Sequence, residues 1–211
     1  MPINWLFTEP LFFVAWVVAI VTALTIHEFS HAFTAYLLGD HTAKEDGRIS
    51  FNPLTHIDPL GFFMLLIAGF GWAKPVSVNP YNLRQPRSGI ALVSLAGPLA
   101  NLVCVFIFAL LFKFLSPILG INNLLSNFLF MMILINISLF VFNLIPIPPL
   151  DGSKILFSLL PDSRFAEFKY KFSVNGPWIL LMVIIFDSIT GAGIFSRLFG
   201  FMVDLISRLI Q

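Results

Sequence analysis

Sixteen consecutive residues, Leu11 to Ile26, carry no charge, and the apolar run continues through His27-Glu28-Phe29-Ser30-His31 to Leu38 before Gly39 and Asp40 interrupt it. A helix over residues 11–38 is about 42 Å long at 1.5 Å per residue, enough to cross a bilayer with some tilt. A cleaved leader would have basic residues ahead of a shorter apolar core, whereas the first lysine or arginine here is Lys44. Further apolar runs occupy about 89–115, 124–145 and 177–195. Composition agrees with this pattern: 58% of residues are hydrophobic and 11% charged, against about a quarter charged in an ordinary globular protein. There is too little charge to coat a water-soluble sphere. A cytosolic enzyme, a nucleic-acid binder and a disordered chain are therefore excluded, and the net charge of +1 points to no polyanionic partner. The single Cys104 permits no internal disulfide.

The expected architecture is an all-α polytopic membrane protein. It forms one domain over 1–211, with a core at about 11–160 and peripheral helices at about 161–211. Residues 59–72 are apolar but short for a span, so they are expected to re-enter or to form a short β element. Residues 196–210 space Arg197, Asp204 and Arg208 among apolar positions and read as an interfacial amphipathic helix. With the amino end outside and 59–72 not crossing, nine of the twelve basic residues become cytoplasmic, which the positive-inside rule favours.

The chemistry concentrates at His27-Glu28-Phe29-Ser30-His31. Residues four apart share a helix face, so both imidazoles can reach one zinc ion, and Glu28 can handle the water that such an ion activates. Three ionisable groups inside an otherwise uncharged membrane helix are costly and mark a functional site. Zinc needs a third protein ligand, and the candidates are His41, His56, Asp58, Asp151, Asp187 and Asp204. His41, next to Asp40, reads as a solvated helix end. His56 and Asp58 lie in a loop that can approach. Asp151 has the most telling context, Asn143-Leu-Ile-Pro146-Ile-Pro148-Pro149-Leu-Asp151-Gly152. Three prolines in four positions break a helix, and broken backbone at membrane depth persists only where it lines a cavity. Asp151 is then expected to cap the helix that follows. Zinc, two neutral imidazoles and the carboxylates of Asp151 and Glu28 sum to zero charge, which a low-dielectric interior tolerates best.

With HEFSH in the first long helix and NLIPIPPLDG about 120 residues later, the chain resembles the site-2 protease family of intramembrane zinc metallopeptidases, peptidase family M50. The likeness covers about 11–160, and GRISFNPLTHIDPLG, GFGWAKPVSVNP and AGPLAN resemble the compact prokaryotic branch, without room for a PDZ or CBS module. The resemblance implies one zinc ion held by His27, His31 and Asp151, with Glu28 as the catalytic acid and base. It implies substrate contact from Asn143 and Pro146, places Gly97 and Asn101 in a motif of the middle core helix, and leads us to expect Asn101 near substrate as well. It further implies a transmembrane protein as substrate, a cell-membrane location and an active site toward the cytoplasm. Residues 72–79 alternate like a strand and are expected to pair with an unwound substrate, whose bare backbone needs partners in hydrocarbon. The competing reading is a membrane carrier moving metal ions or protons on the same His and Asp groups. Glu28 discriminates between them, because a carrier has little use for a carboxylate at that position.

Overall fold

The computed structural model describes residues 2–69, 71–121 and 123–210. Among the described residues nine α-helices follow one another: α1 (Pro2–Thr8), α2 (Pro10–Leu37), α3 (Thr42–Glu45), α4 (Pro59–Ala68), α5 (Pro86–Leu119), α6 (Leu124–Asn143), α7 (Asp151–Leu159), α8 (Asp162–Thr190) and α9 (Ile194–Ile210). Four stretches of the described residues are long and apolar enough to cross a membrane: α2, α5, α6 and Arg164–Thr190 of α8. The chain is an all-α polytopic membrane protein.

The central triangle is α2, α5 and α6, with α5 packed on both of the others and on α7. Ala19 and Ala23 on α2 are fully buried, and their small side chains let the neighbouring helices approach closely. Val105 and Ala109 of α5 meet Ile133, Ile137 and Val141 of α6 in an apolar cluster. At the amino end α1 folds against α2, setting Trp5 edge-on to Phe12 and Trp16.

Two peripheral elements differ from expectation. α8 begins fifteen residues before the expected apolar run at 177, its charged first half continuing the same helix. Lys171 Nζ lies 2.6 Å from Glu167 Oε1 one turn away, and Lys169 donates to the Leu160 carbonyl at 2.8 Å. α9 is amphipathic, as its spacing predicts, but it does not lie free at an interface. Ile206 is 2% exposed inside the α5–α6 cluster, with Phe199, Met202 and Val203 packed beside it, while Arg197, Asp204 and Arg208 stay exposed. Ile194, Leu198, Phe201 and Leu205 remain exposed on the same helix, so only part of its apolar surface is covered by the bundle.

The short apolar stretch resolves into α4, ten residues long and therefore about 15 Å, half of what a span requires. Asp58 caps it by accepting from Gly61 N at 2.8 Å, and Gly69 ends it at φ 78°, a conformation that favours glycine. The two sides of the excursion are pinned together: Ile57 bridges Ala73, and Lys74 N donates to the His56 carbonyl at 2.8 Å. The segment returns to the side it left, so it re-enters (Phe70 lies outside the described residues). The expected short β element shrinks to that one bridge, the only one among the described residues.

Candidate metal centre

His27 and His31 stand one turn apart on the face of α2 that meets α5, 3% and 6% exposed respectively. Their rings lie edge to face with centroids 4.6 Å apart. What lets α5 come so close is Gly97. A Cβ built there falls 2.5 Å from His31 Nε2 and 2.7 Å from His27 Cε1, so the backbone of α5 is itself the wall behind both imidazoles. One residue on, Pro98 cannot donate to the Ser94 carbonyl. In that loosened turn the Val93 carbonyl accepts from His31 Nδ1 at 2.7 Å.

Asn101 holds the other ring. Its Oδ1 accepts from His27 Nδ1 at 2.6 Å, and its Nδ2 donates to Asn136 Oδ1 at 2.8 Å and to the Ala23 carbonyl at 3.3 Å. Asn136 in turn donates to the Met132 carbonyl at 2.7 Å. Both asparagines are fully buried, so α2, α5 and α6 are joined by one polar chain in an apolar interior. This corrects the expectation for Asn101. Both polar atoms of its side chain are engaged behind His27, and it is not among the residues lining the cavity beside the triangle. Asn136 escaped the sequence reading altogether, since it is one of three asparagines in the apolar run 124–145, with Asn127 and Asn143, and nothing local sets it apart.

The third arm comes from the proline-broken turn. Gly152 lies so close to the end of α6 that a Cβ would sit 2.3 Å from the Leu144 carbonyl oxygen. That contact brings the first residue of α7, Asp151, to the imidazoles. Its Oδ2 is 3.2 Å from His27 Nε2 and 3.0 Å from His31 Nε2, and the two nitrogens are 3.0 Å apart. Contrary to expectation, Asp151 is not a helix cap. Leu150 occupies the cap position, which leaves the carboxylate free for the histidines.

Whether these groups fit a metal follows from their protons. The Val93 carbonyl can only accept, so His31 Nδ1 carries hydrogen, and the Asn101 oxygen requires the same of His27. Both Nε2 atoms then present lone pairs to each other and to a carboxylate oxygen. Three electron-rich atoms at this spacing need a cation among them. Tetrahedral zinc with bonds of about 2.0–2.1 Å separates its ligand atoms by about 3.3–3.4 Å, within a few tenths of an ångström of the triangle found. The group therefore fits a single zinc ion, and among the described residues it is the one cluster of this kind.

A cavity of about 560 Å³ opens onto the triangle, lined by Glu28, Ser94, Asn143, Pro149 and Lys154 together with residues of the segment after α4. Glu28 is half-buried on this wall, and its carboxylate makes no hydrogen bond among the described residues. Asn143, the last residue of α6, also lines the cavity, with Nδ2 donating to the Leu139 carbonyl at 3.0 Å. Pro146 is exposed and lies outside this lining. His56 and Asp58 take no part in the centre. His56 is 1% exposed, donates from Nε2 to the Ser50 carbonyl at 2.8 Å and lines a separate apolar cavity, while Asp58 caps α4.

The opposite cavity wall is Trp72 to Pro80. It carries no regular secondary structure beyond the bridge at Ala73, and among the described residues Pro75 to Val78 make no backbone-to-backbone hydrogen bond, so it is an open edge rather than a strand. Asp40 anchors its far end. Far from being a solvated end, this residue is fully buried, accepting from Asn79 N at 2.7 Å, Asn82 Nδ2 at 3.1 Å, Thr42 Oγ1 at 2.6 Å and Thr42 N at 3.1 Å. Burial opposes its ionisation, but these donors outweigh burial and hold the carboxyl below its usual range.

Known proteins agree with the geometry. Over 156 residues the chain is 43% identical to "Putative zinc metalloprotease YwhC" of Bacillus subtilis, a match covering 72% of this chain and 71% of the relative. It belongs to peptidase family M50. The model of that family matches residues 118–184, which take in the Asp151 arm. "Putative zinc metalloprotease Rip2" of Mycolicibacterium smegmatis is 39% identical over 139 residues, 62% of this chain and 51% of the relative, so the chain spans about half of that longer protein. "Putative zinc metalloprotease MJ0611" of Methanocaldococcus jannaschii is 29% identical over 160 residues, 74% of this chain and 78% of the relative. No solved structure matches the chain. As an M50 member with its donor triangle among membrane-crossing helices, the protein is an intramembrane zinc metalloprotease.

Proposed function

We propose that His27, His31 and Asp151 hold the zinc ion, that Glu28 moves the proton, and that the substrate is a transmembrane segment cut within the bilayer toward the cytoplasmic face. The observation that carries this is the convergence of three lone-pair donors on one point, with an unpaired carboxylate on the same cavity wall. Bound zinc supplies Lewis acidity, polarising the scissile carbonyl and acidifying water. Glu28 takes the proton from the attacking water and returns it to the leaving amine, so one residue serves as base and then as acid. Asn101 and the Val93 carbonyl keep both imidazoles in the tautomer with Nε2 free. His27 lies ten residues before the end of α2, about 15 Å along the helix. With the amino end outside, that depth is nearer the cytoplasm, and a prokaryotic cell membrane is the natural setting.

A membrane-spanning substrate hides its peptide bonds in its own helix, so it must unwind to be cut. The open edge at 75–78 offers its freed backbone groups partners, and Asn143 adds a side-chain amide on the other side of the cavity. Co-expression with a panel of single-span proteins tests the assignment. Glu28→Gln should lower processing by about 10²–10⁴-fold while zinc content stays at that of the wild type. Equal processing by both proteins would remove Glu28 from the chemistry and revive the carrier reading.

A further inference from the structure

Among the described residues Lys154 is the only lysine or arginine lining the catalytic cavity. It lies three residues into α7, with Nζ 3.1 Å from Asp151 Oδ1. The other carboxylate oxygen, Oδ2, is the one facing both imidazoles. Side-chain exposure is 53% for the lysine and 7% for the aspartate. An ion pair with one half-solvated partner contributes little to stability, so stability does not account for a cation placed here.

The chemistry of carboxylates does. A carboxylate ligates a metal through one oxygen or through both, and binding through both fills a coordination position that peptide hydrolysis needs open. An ammonium on Oδ1 competes for that second oxygen. We infer that Lys154 is a positioning residue that restricts Asp151 to one ligating oxygen. This rests on the zinc-site reading above and deepens it. The same ammonium raises the centre from zero net charge (zinc, Asp151, Glu28) to +1, the sign that favours an amide oxygen becoming negative.

The test uses the full chain in detergent with cobalt(II) in place of zinc, comparing wild type, Lys154→Met and Lys154→Arg. The Met variant should still bind one cobalt, but its visible absorption should fall several-fold as coordination number rises. On the zinc form, kcat for a single-span substrate should fall about 10–100-fold with KM little changed. Lys154→Arg, whose guanidinium reaches the same oxygen, should restore both. A Met variant whose bound cobalt absorbs as in the wild type overturns the inference, whatever its stability. If Lys154→Met does not fold, Lys154→Leu is read by the same criterion. A wild type that takes up no cobalt sinks the metal reading and this inference together, whereas matching spectra sink the inference alone.

Discussion

The two arms of the metal centre are built differently. The imidazole arm sits on α2 and is braced by α5, whose backbone touches both rings at Gly97, and by a fully satisfied chain of amides running to α6. The carboxylate arm hangs on a proline-broken turn, seated by one glycine contact and one half-exposed lysine. The imidazoles ride in the middle of a long helix, whereas the buried carboxylate is carried by the first residue of a short helix that follows irregular backbone. The contrast predicts that damage to the first arm costs metal, and damage around the second costs turnover.

The hardest blow to that contrast is Gly97→Val. With a Cβ already 2.5 Å from His31 Nε2, the rings must leave, and zinc affinity should drop by more than about 100-fold. Metal stoichiometry after gel filtration measures this, and full zinc content would refute the bracing role. Asn101→Leu is next. It strands the Nδ1 hydrogen of His27 and the Oδ1 of Asn136, so zinc affinity should fall about 10–100-fold in chelator competition. Asn143→Leu should do the reverse, lowering cleavage several-fold with zinc content unchanged, and loss of zinc instead would contradict its assignment to substrate. The mildest effect is expected at Asp40→Asn, which should cost about 2 kcal/mol at pH 7, since charged acceptors make the stronger hydrogen bonds. Because the native carboxyl is held below its unfolded value of about 3.9, its contribution is fully present above that value and fades as pH falls through the lower native one. The melting difference between wild type and variant should therefore shrink on acidification, and a constant difference would show that the charge is not what matters.

What could be read from the chain alone follows from which signals are one-dimensional. Long uncharged runs announced α2, α5 and α6, and the proline cluster announced the break before Asp151, because each is a local violation of helix or membrane chemistry. The start of α8 was invisible because a charged, amphipathic turn and an apolar one are the same helix to the backbone. α9 was recognised, but whether its apolar face meets lipid or bundle depends on the shape of the gap beside it. Whether 59–72 re-enters was settled only by the Ile57–Ala73 bridge, a contact between positions with no pattern in common. Within the site, the His-Glu-His spacing marked the two imidazoles on α2 that meet Asp151. The motif around Gly97 gave a location but no direction, which is why Asn101 was expected at substrate when it faces away. Asn136 and Lys154 are single polar residues whose meaning exists only through a partner on another part of the chain.

Bare backbone at Gly97 has one more consequence. Sliding α5 by a single position would bring Ala96 or Pro98 against the rings and shut the ion out. Binding of the ion and docking of α5 are thus linked equilibria, so a bound ion favours the helix register that leaves Gly97 against the rings.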